Sequence, residues 1–282
     1  MASLKEVQSK IVSVKKTKQI TKAMNMVATS RLRGAQTSME AFRPYAEKFA
    51  EVLGSIADKA GDQASPLLTP REEVRKVHIV LLTSDRGLCG GFNRDLFTFF
   101  EEHSAEFAHT TEILLFGEKM SKIFNNRRVA FNHQQDYPRI NHLNFQFVSE
   151  LFENHAFANK TCHILYNSYH GSGRYEPALR TIRWEHSAPA KALPADTNLI
   201  IDTDPRLLSA YLLRQSNLME IYRIFLSSLA SEHSFRFQLM ENAITNTDNL
   251  IQELGLMVQM ERQKKITSEM RELSISAGLL NR

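Results

Sequence analysis

The residues best suited to chemistry lie in one glycine-rich stretch, residues 84–93, with the sequence SDRGLCGGFN. It follows a short apolar run and precedes a helical pattern, and such a strand-to-helix turn can hold a phosphate with backbone N–H groups. Its glycines, however, have neither the GxGxxG order of a dinucleotide site nor the GK[ST] ending of a P-loop. No lysine follows to reach a phosphate. We therefore predict a tight turn that packs a helix against a strand and binds no nucleotide.

Other reactive side chains do not form a recognisable site. Cys89 could be a reactive thiol near a helix N-terminus, but a packed, unreactive thiol is the better interpretation. Asp85 and Arg86 suit a pair that fixes the turn more than an acid and an electrophile. The ten histidines are scattered without metal-ligand spacing, and no serine nucleophile elbow is present. The sequence thus predicts no catalytic residue, no cofactor and no metal site.

Composition excludes several classes of protein. The chain has 282 residues, 43% of them hydrophobic and 23% charged, with a formal net charge of +4. Its longest apolar runs span only a few residues, whereas a membrane helix needs about 20. The first residues lack the apolar core of a secretory signal, and the two cysteines are too far apart for a CxxC site. We expect a cytosolic chain rather than a membrane, secreted or cysteine-ligated zinc protein.

Proline and glycine divide the chain into three segments, residues 1–60, 61–204 and 205–282. The joint after residue 60 contains Pro66 and Pro70, which disfavour helix. From Pro205 onwards no further proline occurs. The two terminal segments are therefore predicted to be helical, and the middle segment to be a separate domain.

Both terminal segments carry the apolar repeat of a coiled coil. In the first segment a strict alternation of four and three residues joins Ala35, Met39, Phe42, Ala46, Phe49, Leu53, Ile56 and Ala60. The same alternation is found earlier in this segment at Leu4, Val7, Ile11 and Val14. It is found again, at a different heptad phase, at Ile20, Met24 and Val27. In the last segment Met240, Ala243, Thr247, Leu250, Leu254 and Met257 alternate similarly.

Helices over residues 5–59 and 205–281 would be roughly 80 and 115 Å long. Two amphipathic helices folded onto a globular core are the simpler alternative, which fits these lengths poorly. We predict that residues 3–59 and 206–277 form one antiparallel, left-handed coiled coil. Pro44 should bend the first helix locally.

The middle segment alternates strand and helix patterns, which predicts a mostly parallel, Rossmann-like sheet covered on both faces. Strands are predicted at residues 77–83, 112–117, 162–167 and 179–184, and helices at 93–107, 118–125 and 143–155. The predicted fold class is therefore α/β, with this domain inserted between the two coiled-coil helices.

The first 43 residues are strongly basic, with nine Lys or Arg against two Glu. A basic helix can bind nucleic acid, an anionic membrane or acidic loops of a protein partner. No aromatic residue precedes Phe42, which does not favour nucleic acid, but charge alone does not decide among these partners.

Several motifs together resemble the γ subunit of F-type ATP synthases. They are SLKEVQSKI and SVKKTKQITKAMNMVA near the start, RPYAEK at residues 43–48, TSDRGLCGGFN at 83–93, and SEH, LMENAITNTDNLIQEL and RQKKIT in the last helix. They occur in the family's order along the whole chain.

The resemblance implies a shaft of two terminal helices inside a hexamer of α and β subunits, with the α/β domain beside the ε subunit and the foot on the c-ring. Rotation of the c-ring would couple ion translocation to ATP synthesis or hydrolysis, and this chain would contain no catalytic residue. It would be peripheral, at the cytoplasmic face of a bacterial inner membrane, with membrane contact only through the complex and no nucleic acid partner.

The resemblance also points to residues that contact the hexamer. Met24, Arg262, Gln263 and Thr267 match family positions that contact β. The last turns supply an apolar surface suited to a bearing without directional bonds, formed by Leu273, Ile275, Leu279 and Leu280.

Two other functions explain only part of the chain. A nucleotide-binding α/β enzyme would account for the middle segment and leave the long helices without a purpose. A basic coiled-coil scaffold or DNA-binding protein would account for the ends but not for the block at residues 83–93.

Overall fold

The computed structural model describes residues 4–60, 77–107, 110–138, 143–154, 161–171, 173–183 and 205–280. The chain forms two compact units. The helical unit comprises residues 1–28 and 237–282, and the sheet unit comprises residues 29–236. The domain boundaries predicted at residues 60 and 204 follow the sequence segments, and they stay a prediction.

Each terminal segment contains one long helix, α1 (Leu4–Ala60) in the first and α5 (Pro205–Leu280), the last helix of the chain, in the other. Proline stands at the first position of α5, where its missing N–H removes no helical hydrogen bond. The helix α1 continues through Pro44, and the local bend predicted there stays a prediction.

In the helical unit the two helices run antiparallel. Lys18 forms an ion pair with Asp248, and Asn25 Nδ2 donates a hydrogen bond of 2.6 Å to Glu241 Oε2. The second pair lies seven residues further along α1 and seven residues back along α5. This is the spacing of one heptad in an antiparallel coiled coil.

One continuous seam of inward side chains runs along α1 in the helical unit. Its buried or half-buried positions alternate by three and four residues, and they are Leu4, Val7, Ile11, Val14, Lys18, Thr21, Asn25 and Ala28. The predicted change of phase is therefore wrong, because Ile20, Met24 and Val27 are exposed. Met257, predicted to lie in the seam of α5, is exposed as well.

The sheet unit contains a five-stranded sheet with the order β3-β2-β1-β4-β5. The strands are β1 (Val77–Leu82), β2 (Thr110–Phe116), β3 (His133–Gln135), β4 (Thr161–Tyr169) and β5 (Tyr175–Arg183). The first four strands in this order pair in parallel, and β5 pairs antiparallel with β4. All six residues of the central strand β1 are buried, as expected for a strand covered on both faces.

Helices cover both faces of this sheet. Val80 and Leu82 join the apolar cluster that contains Phe225 of α5 and Ala35 of α1. Ile79 and Leu81 point to the opposite face, where they pack with α2 (Phe92–Glu102) and α3 (Glu118–Arg127). The remaining helix, α4 (Phe145–Asn154), adds residues to the first cluster. The predicted fold class is confirmed.

Apart from shifts of one to three residues at the ends of elements, the structure differs from the predicted elements in three places. Helix α2 ends at Glu102, and a separate 3₁₀ turn covers Ser104–Phe107. The polar strand β3 was not predicted. Strand β5 begins at Tyr175 rather than near residue 179 and includes Pro177, which an edge strand tolerates because one side of its backbone needs no partner. The predicted ends at His155 and Trp184 lie outside the described residues.

Among the described helices, none combines the length and the apolar composition that a membrane-crossing segment requires.

Candidate partner-binding surface

The end of α5 is the most exposed part of the described structure. Every described side chain from residue 262 to residue 274 is exposed. Three of them, Ile266, Met270 and Leu273, are large and apolar. A series of exposed apolar side chains of this kind marks a surface that binds a partner.

Three of the predicted contact residues lie together at this end of α5. Thr267 Oγ1 donates a hydrogen bond of 2.9 Å to the main-chain oxygen of Gln263, so the two side chains lie one turn apart on one face. Both line a shallow hollow of about 440 Å³. Neighbouring lysines pair within the helix, as Lys264 does with Glu261 at 2.8 Å. Arg262 has no ion pair among the described residues, so its guanidinium can offer its donors to a partner.

Met24 belongs to a second surface, on the outer face of α1. It lies with Ile20 and Val27 on an exposed stripe, which we call the outer stripe. Because Asn25 faces Glu241, Met24 is separated from Arg262 by about 30 Å along the helix axis. The structure therefore does not bring Met24 together with Arg262, Gln263 and Thr267.

The four residues predicted to form an apolar tip are only partly described. Leu273 is exposed, as a bearing surface requires. The side chains of Ile275, Leu279 and Leu280 lie outside the described part of the structure.

Exposed apolar side chains are concentrated in the helical unit. Fifteen large apolar side chains are exposed among the described residues, and twelve of them belong to this unit. The other three are Tyr45, Leu88 and Tyr211. The helical unit is therefore the better candidate for an extensive protein interface.

The glycine-rich turn is closed by its own side chains. Asn93 accepts a hydrogen bond of 3.1 Å from the Ser84 N–H and donates one of 2.7 Å to Ser84 Oγ. Cys89 is buried, as predicted for a packed thiol, with its Sγ 3.3 Å from Ser84 Oγ. Leu88 and Gly90 have φ angles of 62° and 52°, and such left-handed backbone makes the turn tight.

A carboxylate occupies the first turn of α2, where a phosphate would bind. A Cβ added at Gly91 would lie 2.9 Å from both carboxylate oxygens of Asp95. Tyr175 Oη donates a hydrogen bond of 2.7 Å to the same carboxylate. Asp95, which also pairs with Arg94 Nε at 3.5 Å, already supplies the negative charge that this helix N-terminus favours.

Asp85 and Arg86 each accept a hydrogen bond from a different residue, and they do not form the predicted pair. The Asp85 carboxylate accepts the Tyr137 N–H at 3.0 and 3.2 Å, although its partial burial raises its pKa. Tyr137 Oη in turn donates a hydrogen bond of 2.7 Å to the main-chain oxygen of Phe225. The main-chain oxygen of Arg86 accepts a hydrogen bond of 3.2 Å from Arg236 Nη2.

The donor of that hydrogen bond, Arg236, belongs to a buried charge cluster on α5 that was not predicted from the sequence. Arg236 pairs with Glu232 at 2.7 Å, and their side chains are 10% and 8% exposed. Arg236 Nη1 also lies 3.1 Å from His233 Nδ1. Burial and the positive charges of Arg236 and Arg31 lower the pKa of His233 to about 3, so the neutral ring accepts this hydrogen bond. The four-residue spacing of Glu232 and Arg236 was the available signal.

The described residues contain no cluster of His, Cys, Asp or Glu arranged to hold a metal ion. The cluster around Arg236 satisfies its own charges within the sheet unit. Its geometry therefore fixes the glycine-rich turn against α5.

Comparison with known proteins agrees with the architecture. The family model described as ATP synthase matches residues 3–278. The ATP synthase gamma chain of Desulfosudis oleivorans is 38% identical over 296 residues, covering 97% of each chain. The chain belongs to the ATP synthase γ-chain family. A second family member, from Desulforapulum autotrophicum, is 36% identical over 300 residues and covers 100% of both chains. The predicted family is confirmed.

Chains in solved structures of ATP synthases share the fold. A chain of the Euglena gracilis mitochondrial ATP synthase, from a structure of OSCP, F1 and the c-ring, superposes with a TM-score of 0.69 at 16% identity. The alignment covers 98% of this chain and 94% of that one. A chain of the Tetrahymena thermophila central stalk and c-ring structure gives a TM-score of 0.57 at 20% identity, covering 79% and 99%.

Proposed function

We propose that this chain is the central-stalk rotor of a bacterial F-type ATP synthase. It transmits rotation of the membrane c-ring to the αβ hexamer and so couples ion translocation to ATP synthesis or hydrolysis. The observation that carries the proposal is the concentration of exposed apolar side chains on the helical unit of a chain that belongs to the γ-chain family.

The helical unit suits a rotor because its two candidate contact zones differ. Around Met24 two helices lie side by side, and the outer stripe belongs to α1. From residue 262 onwards α5 exposes its described side chains all round. A rotating surface that differs along its length and around its axis presents different contacts to each β subunit in turn. Differential contacts of this kind can shift each β subunit between conformations.

Met24, Arg262, Gln263 and Thr267 are the proposed contacts with β. Leu273, Ile275, Leu279 and Leu280 are proposed to form the apolar bearing at the tip. The ε subunit and the c-ring are the proposed partners of the sheet unit and of the foot of the stalk. The chain then belongs to a membrane-associated complex, and we place it at the cytoplasmic face of that membrane.

In this function the chain itself performs no chemistry. The glycine-rich turn fills its interior with Ser84, Cys89 and Asn93 and its helix N-terminus with Asp95. We expect no saturable heat when ATP, ADP or NAD is titrated into the full chain in a calorimeter. Saturation at micromolar ligand would instead support a nucleotide-binding enzyme.

Co-purification tests the proposed assembly. The full chain, tagged and expressed in its host, is purified from detergent-solubilised membranes, and its partners are identified by mass. We expect the α, β, ε and c subunits of the synthase. Recovery of the chain without α and β, or with nucleic acid that a rise in salt removes, would contradict the proposal.

A further inference from the structure

Three polar residues interrupt the apolar seam of α1 in the helical unit. Lys18, Thr21 and Asn25 occupy consecutive inward positions between Val14 and Ala28, and we call them the polar seam. Thr21 and Asn25 are each only 8% exposed. Polar side chains at such positions make a coiled coil less stable than apolar ones would, but they specify how the helices align.

The apolar side chains that could have formed this part of the seam lie beside it. The outer stripe has the same alternation of four and three residues, and its members Ile20, Met24 and Val27 are 59%, 39% and 47% exposed. A local rotation of residues 18–27 by about 100° around the helix axis, one residue of helix, would turn the outer stripe inward while Val7, Ile11 and Val14 stay in the seam. Within this segment, burial of apolar surface favours the alternative phase.

Two contacts with α5 oppose the rotation. Lys18 forms its ion pair with Asp248, and Asn25 donates its 2.6 Å hydrogen bond to the Glu241 carboxylate. Both bonds involve a charged group and are part-buried, which makes them stronger than bonds between neutral or exposed groups. Because they lie one heptad apart, both would be lost together if α1 turned.

We propose that Lys18 and Asn25, paired with Asp248 and Glu241, lock α1 in the phase that keeps the outer stripe on the surface. The lock acts as a positioning device, since it decides which side chains of α1 a partner meets. That the partner is the α/β hexamer rests on the proposed function. The lock itself is a property of the helical unit and can be tested without the complex.

Thiol labelling of the full chain measures the phase directly. Met24→Cys reports on the outer stripe and Thr21→Cys on the polar seam, while the native Cys89 and Cys162 are buried. In the background Glu241→Ala/Asp248→Ala, which removes both acceptors, we expect labelling of Met24→Cys by a maleimide to slow on the order of tenfold. Labelling of Thr21→Cys should accelerate, because that position leaves the seam.

Three controls separate a change of phase from general loosening. Met26→Cys should keep its rate, because position 26 is exposed in both phases of the heptad. Glu253→Ala/Glu272→Ala removes two carboxylates from exposed positions of the same helix and should change neither reporter. Lys18→Leu/Asn25→Leu replaces two of the three residues of the polar seam with leucine, and burial of these side chains then favours the native phase. Met24→Cys should therefore stay reactive, and the unfolding temperature should rise.

The proposal is overturned if Glu241→Ala/Asp248→Ala leaves both reporters unchanged. It is also overturned if both reporters label faster, since the pairs would then hold the helices together without selecting a phase. If the two reporters exchange reactivity as expected while membranes carrying Glu241→Ala/Asp248→Ala, without a reporter cysteine, pump ions normally, the lock stands. In that case the role of the outer stripe in the proposed function is wrong.

Discussion

The helical unit and the sheet unit use apolar side chains in opposite ways. In the sheet unit large aromatic and aliphatic residues fill clusters on both faces of the sheet. The helical unit buries few described residues, namely the apolar Val7, Ala28, Met240 and Leu254 and the polar Thr21 and Asn25. It exposes most of its other large apolar side chains. The sheet unit thus gains stability from its own interior, whereas the helical unit keeps apolar area for partners.

The ion pairs of the two units differ in burial in the same way as the apolar side chains do. The pair of Arg236 and Glu232 is buried in the sheet unit, whereas in the helical unit the pair of Lys18 and Asp248 is half-exposed. A buried charge depends on its partner much more than an exposed one. Substitutions in the sheet unit should therefore affect folding, and substitutions in the helical unit should affect coupling.

The largest expected effect is on stability, in the sheet unit. Arg236→Leu leaves Glu232 buried without its partner and should lower the free energy of unfolding by about 3–5 kcal/mol. Urea denaturation of the full chain measures it. The double variant Glu232→Gln/Arg236→Leu should lose less, because no charge remains buried.

The matched control is Lys122→Leu, which breaks an exposed pair with Glu118 at the same four-residue spacing. It should leave the unfolding curve almost unchanged. Equal losses in Arg236→Leu and Lys122→Leu would show that burial does not distinguish the two pairs.

The next effect is on coupling, in the helical unit. Arg262→Ala should leave the stability of the chain unchanged, because its side chain is exposed. In the complex it should remove a charged hydrogen bond worth about 1.5–3 kcal/mol and weaken coupling more than truncation after Ala277 does. ATP-driven ion pumping, normalised to ATP hydrolysis, measures coupling in membranes of each variant. If the truncation uncouples the enzyme and Arg262→Ala does not, the proposed contact and bearing residues are interchanged.

The smallest expected effect is a pH dependence of the sheet unit. The pKa of His233 falls from its usual 6.5 to about 3 on folding, so between these values the unfolded chain binds the extra proton. This contribution to stability is complete above pH 6.5 and is lost as the pH falls, by about 1.4 kcal/mol per pH unit. His233→Gln should make the loss between pH 6 and pH 5 shallower by that amount. Identical slopes for the two proteins would contradict the buried, neutral state of His233.

The sequence predicts elements whose signal lies in apolar side chains. The run 77–82 identifies β1 because a strand buried on both faces is a nearly continuous apolar run, interrupted here only by His78. The polar strand β3 and the bond from Arg236 to the main-chain oxygen of Arg86 carry no such signal. The polar seam was not predicted because the heptads of the first segment were assigned from apolar residues alone. Counting on from Val7 by fours and threes leads directly to Lys18, Thr21 and Asn25.

The most direct test of the proposed function is to observe whether this chain rotates inside the hexamer. A complex of the chain with α and β subunits is fixed to a surface through β, and a bead is attached at Glu176→Cys, an exposed position of β5. On addition of ATP the bead should rotate stepwise in one direction and stop when ATP is removed. A bead that stays still while the complex hydrolyses ATP at its full rate would contradict the proposed rotor function.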